Sequence, residues 1–278
     1  MKIALVTDST SDLPAELIET HNLSMIPAIV IVNGKEYLDG KGLSRDMFYE
    51  QLPSMTTPPT TAAPASGKVE ALYARLFDEG ADHIISLHLA SQLSGIYNAA
   101  RVGAERFAEK ITVLDTGQLT MGLGFQVLAA AEALRDGANL TETLTVIQDV
   151  RERLRVRAMV DTLEYLRRSG RISHFRAAVG AMLRMRVFIS LQEGLIERVG
   201  QVRTRRKAVA QFGEMLRSFG PLERLAVLHT NAEEEARQML HKYAPEHKET
   251  AFLCNVTTVI GTHVGPRALG FAALLPPA

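Results

Sequence analysis

Residues 84–101 read IISLHLASQLSGIYNAAR, and this stretch decides the fold. Ile84, Ile85, Ser86 and Leu87 form a short apolar run of strand type. The hydroxyl residues Ser91 and Ser94 follow with Gly95, and a helix is predicted through Tyr97, Asn98, Ala99 and Ala100. Strand, small-residue loop and helix make half of a β-α-β unit. In an open parallel sheet, ligands gather at the carboxyl ends of the strands, where loops and helix amino-termini point N–H groups outward. A Ser-Gly pair there suits an oxygen-bearing anion, a carboxylate or a phosphate. The same serine is equally an ordinary helix cap.

The alternation repeats on both sides. KIALVT (2–7) reads as a buried strand, followed by Asp8, Ser9, Thr10, Ser11 and Asp12 and then a helix, PAELIETH, opened by Pro14. MIPAIVIVNG (25–34) reads as the next strand, closed by a turn at Asn33-Gly34. YLDGKGLSRDMFYEQL (37–52) begins as a polar loop and becomes helical after Ser44. PSMTTPPTTAAP (53–64) is irregular, because its prolines exclude a helix or a central strand, and its four threonines supply hydroxyls to a stiff loop. A helix through Val69, Leu72, Tyr73 and Leu76 leads back to the organising stretch. Beyond it come a strand, ITVLDT (111–116), a helix over 119–137, and a further helix over about 140–155. Gly122 and Gly124 inside the helix over 119–137 point to close packing against backbone or ligand. The first half is therefore predicted to be a mainly parallel sheet with helices on both faces.

The second half reads differently. RAMVDT (157–162) is a strand, LEYLRRSGRIS (163–173) a helix ended by Gly170, and FRAAVGAMLRM (175–185) another helix. Residues 187–203 make two strands joined at Glu193-Gly194, and a long helix runs from Arg205 to Gly220. Strand, helix and strand follow in LERLAVLHT (222–230), AEEEARQMLHKY (232–243) and FLCNVTTVIG (252–261). HVGPRALGFAALL (263–275) turns into a last strand. Hairpin plus helices implies a mixed or antiparallel sheet with helical cover. The expected domains are 1–154 and 155–278.

Composition narrows the function classes. The 278 residues are 46% hydrophobic and 22% charged, in the range of globular proteins, and length favours two domains. No apolar run approaches the roughly 20 residues that span a bilayer, and no secretory leader is read in MKIALVTDSTSD, so a cytoplasmic location is expected. The single Cys254, in an apolar run, reads as a buried structural thiol. The net charge of zero hides an asymmetry: residues 151–207 hold fifteen Arg or Lys against five Asp or Glu, a balance of +10. Such a block suits an anionic ligand or partner. Aromatic residues within it are limited to Tyr165, Phe175 and Phe188, and the usual nucleic-acid motifs are absent, which argues against nucleic acid.

The motifs of bond-making chemistry are missing. Ser94 is followed by Gly95 but preceded two residues earlier by Gln92, so no G-x-S-x-G elbow forms. No P-loop, G-x-G-x-x-G or H-E-x-x-H occurs, and neither a metal nor a cofactor is expected. Hydroxyls at strand ends, the arginines and His263 remain, His263 standing between Gly261-Thr262 and Gly265-Pro266 at an expected turn after an apolar strand. His88 ranks next, inside the organising stretch. That set describes binding of an anionic head group better than catalysis.

Five ordered segments carry a resemblance: VTDSTSDLP (6–14), LSGIYNAA (93–100), DTGQLTMGLG (115–124), YLRRSGRIS (165–173) and HVGPRALG (263–270). Together they resemble the DegV family of bacterial fatty-acid-binding proteins, the lipid-presenting subunits of fatty acid kinase. The resemblance implies two α/β domains, with a long-chain fatty acid in a tunnel of the carboxyl-terminal one. It implies that the acid's carboxylate meets hydroxyls and a histidine near the domain interface. It also implies that a separate ATP-dependent kinase subunit phosphorylates that carboxylate for phospholipid synthesis, so this chain has no complete catalytic site. Carried over, the carboxylate-binding residues are Thr56, Ser94 and His263, and the residues facing phosphate or the kinase partner are Arg171 and Arg203. Any membrane contact is expected to be transient.

Two motifs depart from the family pattern. The loop reads Thr56-Thr57-Pro58-Pro59-Thr60, with proline in place of glutamine and threonines in place of serines. Arg267 stands where the late motif has its second glycine, which adds a cation. Burying about 14 methylenes at roughly 0.8 kcal/mol each yields on the order of 11 kcal/mol, against association costs of about 4–15 kcal/mol. The tail would then set affinity and the head-group contacts orientation. Met182, Leu183, Met185, Val187, Phe188 and Ile189 are candidates to line a tunnel and equally fit plain core. A stand-alone phosphotransferase or esterase using Ser94 is the alternative, and a nucleic-acid-binding regulator the third reading.

Overall fold

The structure is a computed structural model and describes residues 1–174 and 185–277. It divides into two compact units, one of Met1–Ile29 with Thr61–Glu152 and one of Val30–Thr60 with Arg153–Ala278. The later division falls beside the expected 154/155 boundary. Residues 30–60, expected in the amino-terminal domain, group instead with the carboxyl-terminal half.

The chain begins with β1 (Ile3–Asp8), α1 (Ala15–Thr20) and β2 (Ser24–Ile26), then enters the second unit through β3 (Ile29–Val32), β4 (Lys35–Leu38) and α2 (Arg45–Gln51). The single strand expected over 25–34 is thus two strands in different sheets, split at Pro27, which has no N–H to give to a ladder. Asn33 and Gly34, at φ 50° and 76°, turn β3 into β4. Tyr37 and Leu38, read as the start of a polar loop, instead end β4, whose residues are mostly exposed. Ser44 caps α2 by accepting from the Met47 N–H at 3.2 Å. The chain returns through β5 (Thr60–Ala62), an edge strand in the order β4-β3-β5, where a proline-rich approach is tolerated.

The rest of the first unit is α3 (Ser66–Asp78), β6 (His83–His88), α4 (Ile96–Ala104), β7 (Ile111–Asp115), α5 (Met121–Arg135) and α6 (Leu140–Arg153). Its sheet has the order β2-β1-β6-β7, parallel throughout. Such strands are buried on both faces and read as continuous aliphatic runs. Val6, Ile26 and Ile84 pack with Val69, Tyr73 and Ala100 of α3 and α4. α5 packs against β1 and β6 and is buried without interruption from Met121 to Ala131. Gly124 is required there: a Cβ would sit 2.8 Å from the Ser11 carbonyl oxygen. The direction of winding reverses between β1 and β6, the position at which open sheets of this kind bind ligands.

The second unit continues with β8 (Leu154–Val160), α7 (Glu164–Arg168), β9 (Arg186–Gln192), β10 (Leu195–Val202), α8 (Arg205–Arg217), β11 (Arg224–His229), α9 (Glu233–Tyr243), β12 (Phe252–Asn255), α10 (Thr258–Val264) and β13 (Leu269–Leu274). The sheet order is β10-β9-β8-β13-β11-β12, antiparallel except for β11 with β12. This is the mixed sheet with helices that the sequence predicts.

The two faces of that sheet differ. Phe188, Phe212 and Phe271 stack in series, with centroids 5.8 and 4.9 Å apart, in a core shared with Met159, Val227 and Leu240. Each such side chain contributes roughly 1.5–3 kcal/mol on burial. Register puts Val156, Ala158, Ile189, Gly270, Ala272 and Ala226 on the opposite face, together with the larger Leu191, Leu228 and Phe252. Phe188 is therefore part of the aromatic core, whereas Val187 and Ile189 lie on the opposite face. Met182 and Leu183, with most of the helix expected over 175–185, lie outside the described residues.

One expected element changes type. Residues 252–261 were read as one strand, but β12 ends at Asn255 and α10 begins at Thr258. Thr257 accepts from the Val259 N–H at 3.4 Å, and its hydroxyl and that of Thr258 both donate to the buried Asp39 carboxylate. These tertiary bonds override the strand preference of the β-branched run Thr257–Ile260.

Candidate functional site

Ser94 belongs to the first unit, and Thr56, Arg171, Arg203 and His263 belong to the second. Ser94 stands in the turn that leads into α4, half-buried, and its Oγ accepts from the Ile96 N–H at 3.4 Å. That bond uses a lone pair and leaves the hydroxyl hydrogen available to donate. The preceding loop is fixed by its neighbours. The N–H groups of Leu89, Ala90 and Ser91 donate in turn to Asp8 Oδ2 at 3.1 Å, the Gln118 carbonyl at 2.8 Å and Asp115 Oδ2 at 3.2 Å.

In the second unit, α10 carries His263 in its last turn, where a turn after a strand was expected. The helix is anchored at its start by Asp39 and by Tyr49 of α2, whose hydroxyl donates to the Val256 carbonyl at 2.8 Å. Two glycines make this approach possible. A Cβ at Gly261 would sit 2.2 Å from the Tyr49 hydroxyl oxygen, and one at Gly265 2.2 Å from the edge of the Tyr165 ring. A narrow cleft is lined by Met55, Pro58 and Pro59 from the threonine-rich loop, by Tyr165, Arg168 and Ser169 around α7, and by Thr262 of α10. The loop bearing Thr56 and the helix end bearing His263 thus come to one place. Arg171 is within electrostatic reach: burial first, and then the Arg171 charge, push the His263 imidazole down to about 3. At neutral pH the ring is uncharged and offers one N–H donor. The Arg171 guanidinium itself donates to the Ser169 carbonyl at 2.8 Å.

Arg203 stands just beyond β10, exposed, and its carbonyl accepts from Arg186 at 2.6 Å. Nearby cations of the basic block are paired. Arg205 bridges Asp161 at 2.8 Å and Glu235 at 2.6 Å, and Arg186 meets Asp161 at 3.3 Å. Arg267, outside the block, turns toward Glu235 at 3.7 Å. Arg167 and Arg168 both bind Glu164, holding that carboxyl down at about 2. Asp161 and Glu164 are already counted in the +10, so of these acids only Glu235 offsets it, and an exposed pair of this kind contributes little.

Residue-by-residue reading missed a buried polar chain in the first unit. Tyr73 and Ser86 hydroxyls are 2.8 Å apart, Ser86 Oγ is 2.7 Å from His88 Nε2, and His88 Nδ1 is 3.1 Å from Asp8 Oδ2. Asp8 Oδ1 accepts from the Thr10 N–H at 3.0 Å and from its hydroxyl at 2.5 Å. Asp8, Ser86, His88 and Tyr73 are all fully buried. Ser86, His88 and Asp8 have the order of a hydrolytic triad, but a sealed serine has no route to substrate. The alternation Ser86-Leu87-His88 on a strand was the signal, since it aims both polar groups at one face. Among the described residues no group of His, Cys, Asp and Glu could hold a metal ion, and no helix is long and apolar enough to cross a membrane.

Comparison with known proteins agrees with this architecture. The model of the family described as "Uncharacterised protein, DegV family" matches residues 2–275. A DegV domain-containing protein of Deinococcus radiodurans is 34% identical over 276 residues, covering 98% of each chain. A solved DegV family protein from Thermus thermophilus, described by its fatty acid binding, superimposes with a TM-score of 0.89 at 32% identity, covering 99% of this chain and 100% of that one. DegV from Bacillus subtilis, described as a fatty acid binding protein, gives a TM-score of 0.88 at 32% identity with the same coverage. This chain belongs to the DegV family.

Proposed function

We propose that this protein binds a long-chain fatty acid and presents its carboxylate to a partner ATP-dependent fatty acid kinase, without a catalytic site of its own. The observation that carries the reading is the gathering of the Thr56 loop, the His263 end of α10 and the Arg171 charge in one unit. A desolvated carboxylate is costly unless donors meet it. A neutral His263 and the hydroxyls of Thr56 and Ser94 are such donors, and Arg171 adds positive potential. Solved relatives described as fatty acid binding, at 32% identity over essentially the whole chain, support the ligand class. The aliphatic face of the second sheet, with Val187, Ile189, Leu191 and Leu228, supports that unit as the wall for the tail. Arg171 and Arg203 receive the phosphate or an acidic partner surface, and the carrier works in the cytoplasm.

Mass spectrometry of an organic extract of the purified protein tests the ligand. Near-stoichiometric fatty acid is expected, as purified or after loading, and its absence in both cases sinks the reading. Incubated with ATP alone, the loaded protein should give no acyl phosphate, and turnover by the isolated chain would make it an enzyme in its own right.

A further inference from the structure

The segment VTDST at the end of β1 is among the most recognisable in the chain, yet none of its residues enters the function proposed above. Its carboxylate is the hub of the first unit's switch point. Asp8 takes four donors: the Thr10 N–H and hydroxyl on Oδ1, and the Leu89 N–H and His88 Nδ1 on Oδ2. The donor order is self-consistent. Tyr73, whose hydroxyl is pushed up to about 12 by burial and so keeps its proton, donates to Ser86. Ser86 donates to His88 Nε2, which leaves Nδ1–H for Asp8. One carboxylate thus ties together β1, β6 and α3.

A fully buried polar chain is an expensive way to obtain stability alone, because a well-packed apolar set of the same volume is often as stable or more so. Its return is geometric. The Leu89 N–H is the first of three successive amides that set the path of the loop ending at Ser94. The other two are held from the β7 side, by Gln118 and Asp115, and the Thr116 hydroxyl holds the His88 carbonyl at 2.8 Å. Asp8 is the anchor on the β1 side. A cradle for an anion works in proportion to how little it must reorganise on binding.

The geometry points to Asp8 as a positioning residue that, through His88 and Leu89, fixes the loop from which Ser94 donates to a carboxylate. This role rests on the carrier reading above, and it adds a requirement that the reading does not contain: selectivity for the free acid depends on a residue that never touches the ligand.

The test compares affinity for a long-chain fatty acid with affinity for its methyl ester, alongside amide exchange of Leu89–Ile96 in the unliganded protein. Asp8→Asn replaces an acceptor by an amide that must turn its NH2 toward a donor. It should lower the acid-to-ester ratio about tenfold and speed exchange in the loop at least tenfold. His88→Leu should act in the same direction, and His88→Asn, which restores a donor near the Nδ1 position, should recover the ratio to within about threefold of the parent. The His88 pair decides the matter if Asp8→Asn does not fold. Parallel loss of acid and ester affinity with an unchanged ratio would make the chain merely structural and overturn the assignment. Unchanged loop exchange would overturn it too. If the parent protein itself shows no preference for acid over ester, the carrier reading fails with it, a result visible before any variant is made.

Discussion

The Ser94 loop and the His263 helix end are built in opposite ways. The loop has irregular backbone, and its path is set by hydrogen bonds: three successive N–H groups are taken by Asp8, Gln118 and Asp115. α10 is a regular two-turn helix, and its position is set by contact: Gly261 lies against Tyr49 and Gly265 against Tyr165, with no room for a Cβ at either. A hydrogen-bonded loop fails by loosening, one amide at a time. A sterically seated helix fails at once when volume is added. Each is therefore vulnerable to a different kind of substitution.

The largest effect is expected at the glycines. Gly261→Ala forces a methyl group against the Tyr49 hydroxyl, and overpacking of this kind costs about 1–3 kcal/mol, at the upper end where backbone must move. Gly265→Ala adds a left-handed φ of 78° to the clash with Tyr165, so it should be the worse of the two. Denaturant unfolding of both variants checks the order. A Gly261→Ala protein as stable as the parent would mean that α10 is not seated by contact.

Next comes the polar anchor of the same helix. Asp39 is buried and receives the hydroxyls of Thr257 and Thr258. Asp39→Ala leaves two buried hydroxyls without their acceptor and should cost about 1–3 kcal/mol. Replacing Thr257 and Thr258 by valine as well should recover part of that loss, because the donors are then gone too. Failure to recover would show that Asp39 acts through something other than these two bonds.

These contrasts also explain what could be read from sequence. The parallel sheet was legible because β1, β6 and β7 are short aliphatic runs ending in Asp or His, and the Glu193-Gly194 hairpin was legible because Gly194, at φ 72°, suits the left-handed backbone of a tight turn. The Gly124 packing was legible for the same reason, a residue with no Cβ inside a helix. α10 was not, since Thr257-Thr258-Val259-Ile260 is a strand by propensity and becomes helical through Asp39, more than two hundred residues away. The grouping of residues 30–60 with the carboxyl-terminal half left no local mark either. Of the candidate residues, Ser94 and His263 were visible as polar residues at element ends. The charge of Arg171 acting on His263 comes from tertiary packing, which no spacing encodes.

Acidity offers a third measure. His263 is pushed down to about 3 in the folded chain, against about 6.5 when unfolded. Below about pH 6.5 the unfolded chain takes up the proton and the folded one does not, so this residue's contribution is complete above 6.5 and is lost as pH falls toward 3. At pH 5 the loss should be about 1–2 kcal/mol relative to pH 8. His263→Asn should flatten that part of the stability–pH curve. A curve of unchanged slope would mean that the imidazole takes up its proton in the fold as readily as in the unfolded chain.

The smallest effect is expected at the turn after α10. Arg267 adopts φ 61°, a conformation that suits glycine and costs other residues about 1–2 kcal/mol. It is held there from both sides of its peptide: its N–H donates to the Thr230 carbonyl at 2.6 Å, and its own carbonyl accepts from Arg205 at 2.6 Å. What the side chain returns is one exposed pairing with Glu235 at 3.7 Å, of the kind that contributes about 0–1 kcal/mol. Arg267→Gly should therefore be neutral to stabilising, by up to about 1 kcal/mol, and that gain should be larger in high salt, where the lost pair would have been screened in any case. The measurement separates main chain from side chain at this position. A clear loss of stability would mean that the guanidinium helps hold α10 in place, and that the helix end is polar in its construction after all, like the Ser94 loop.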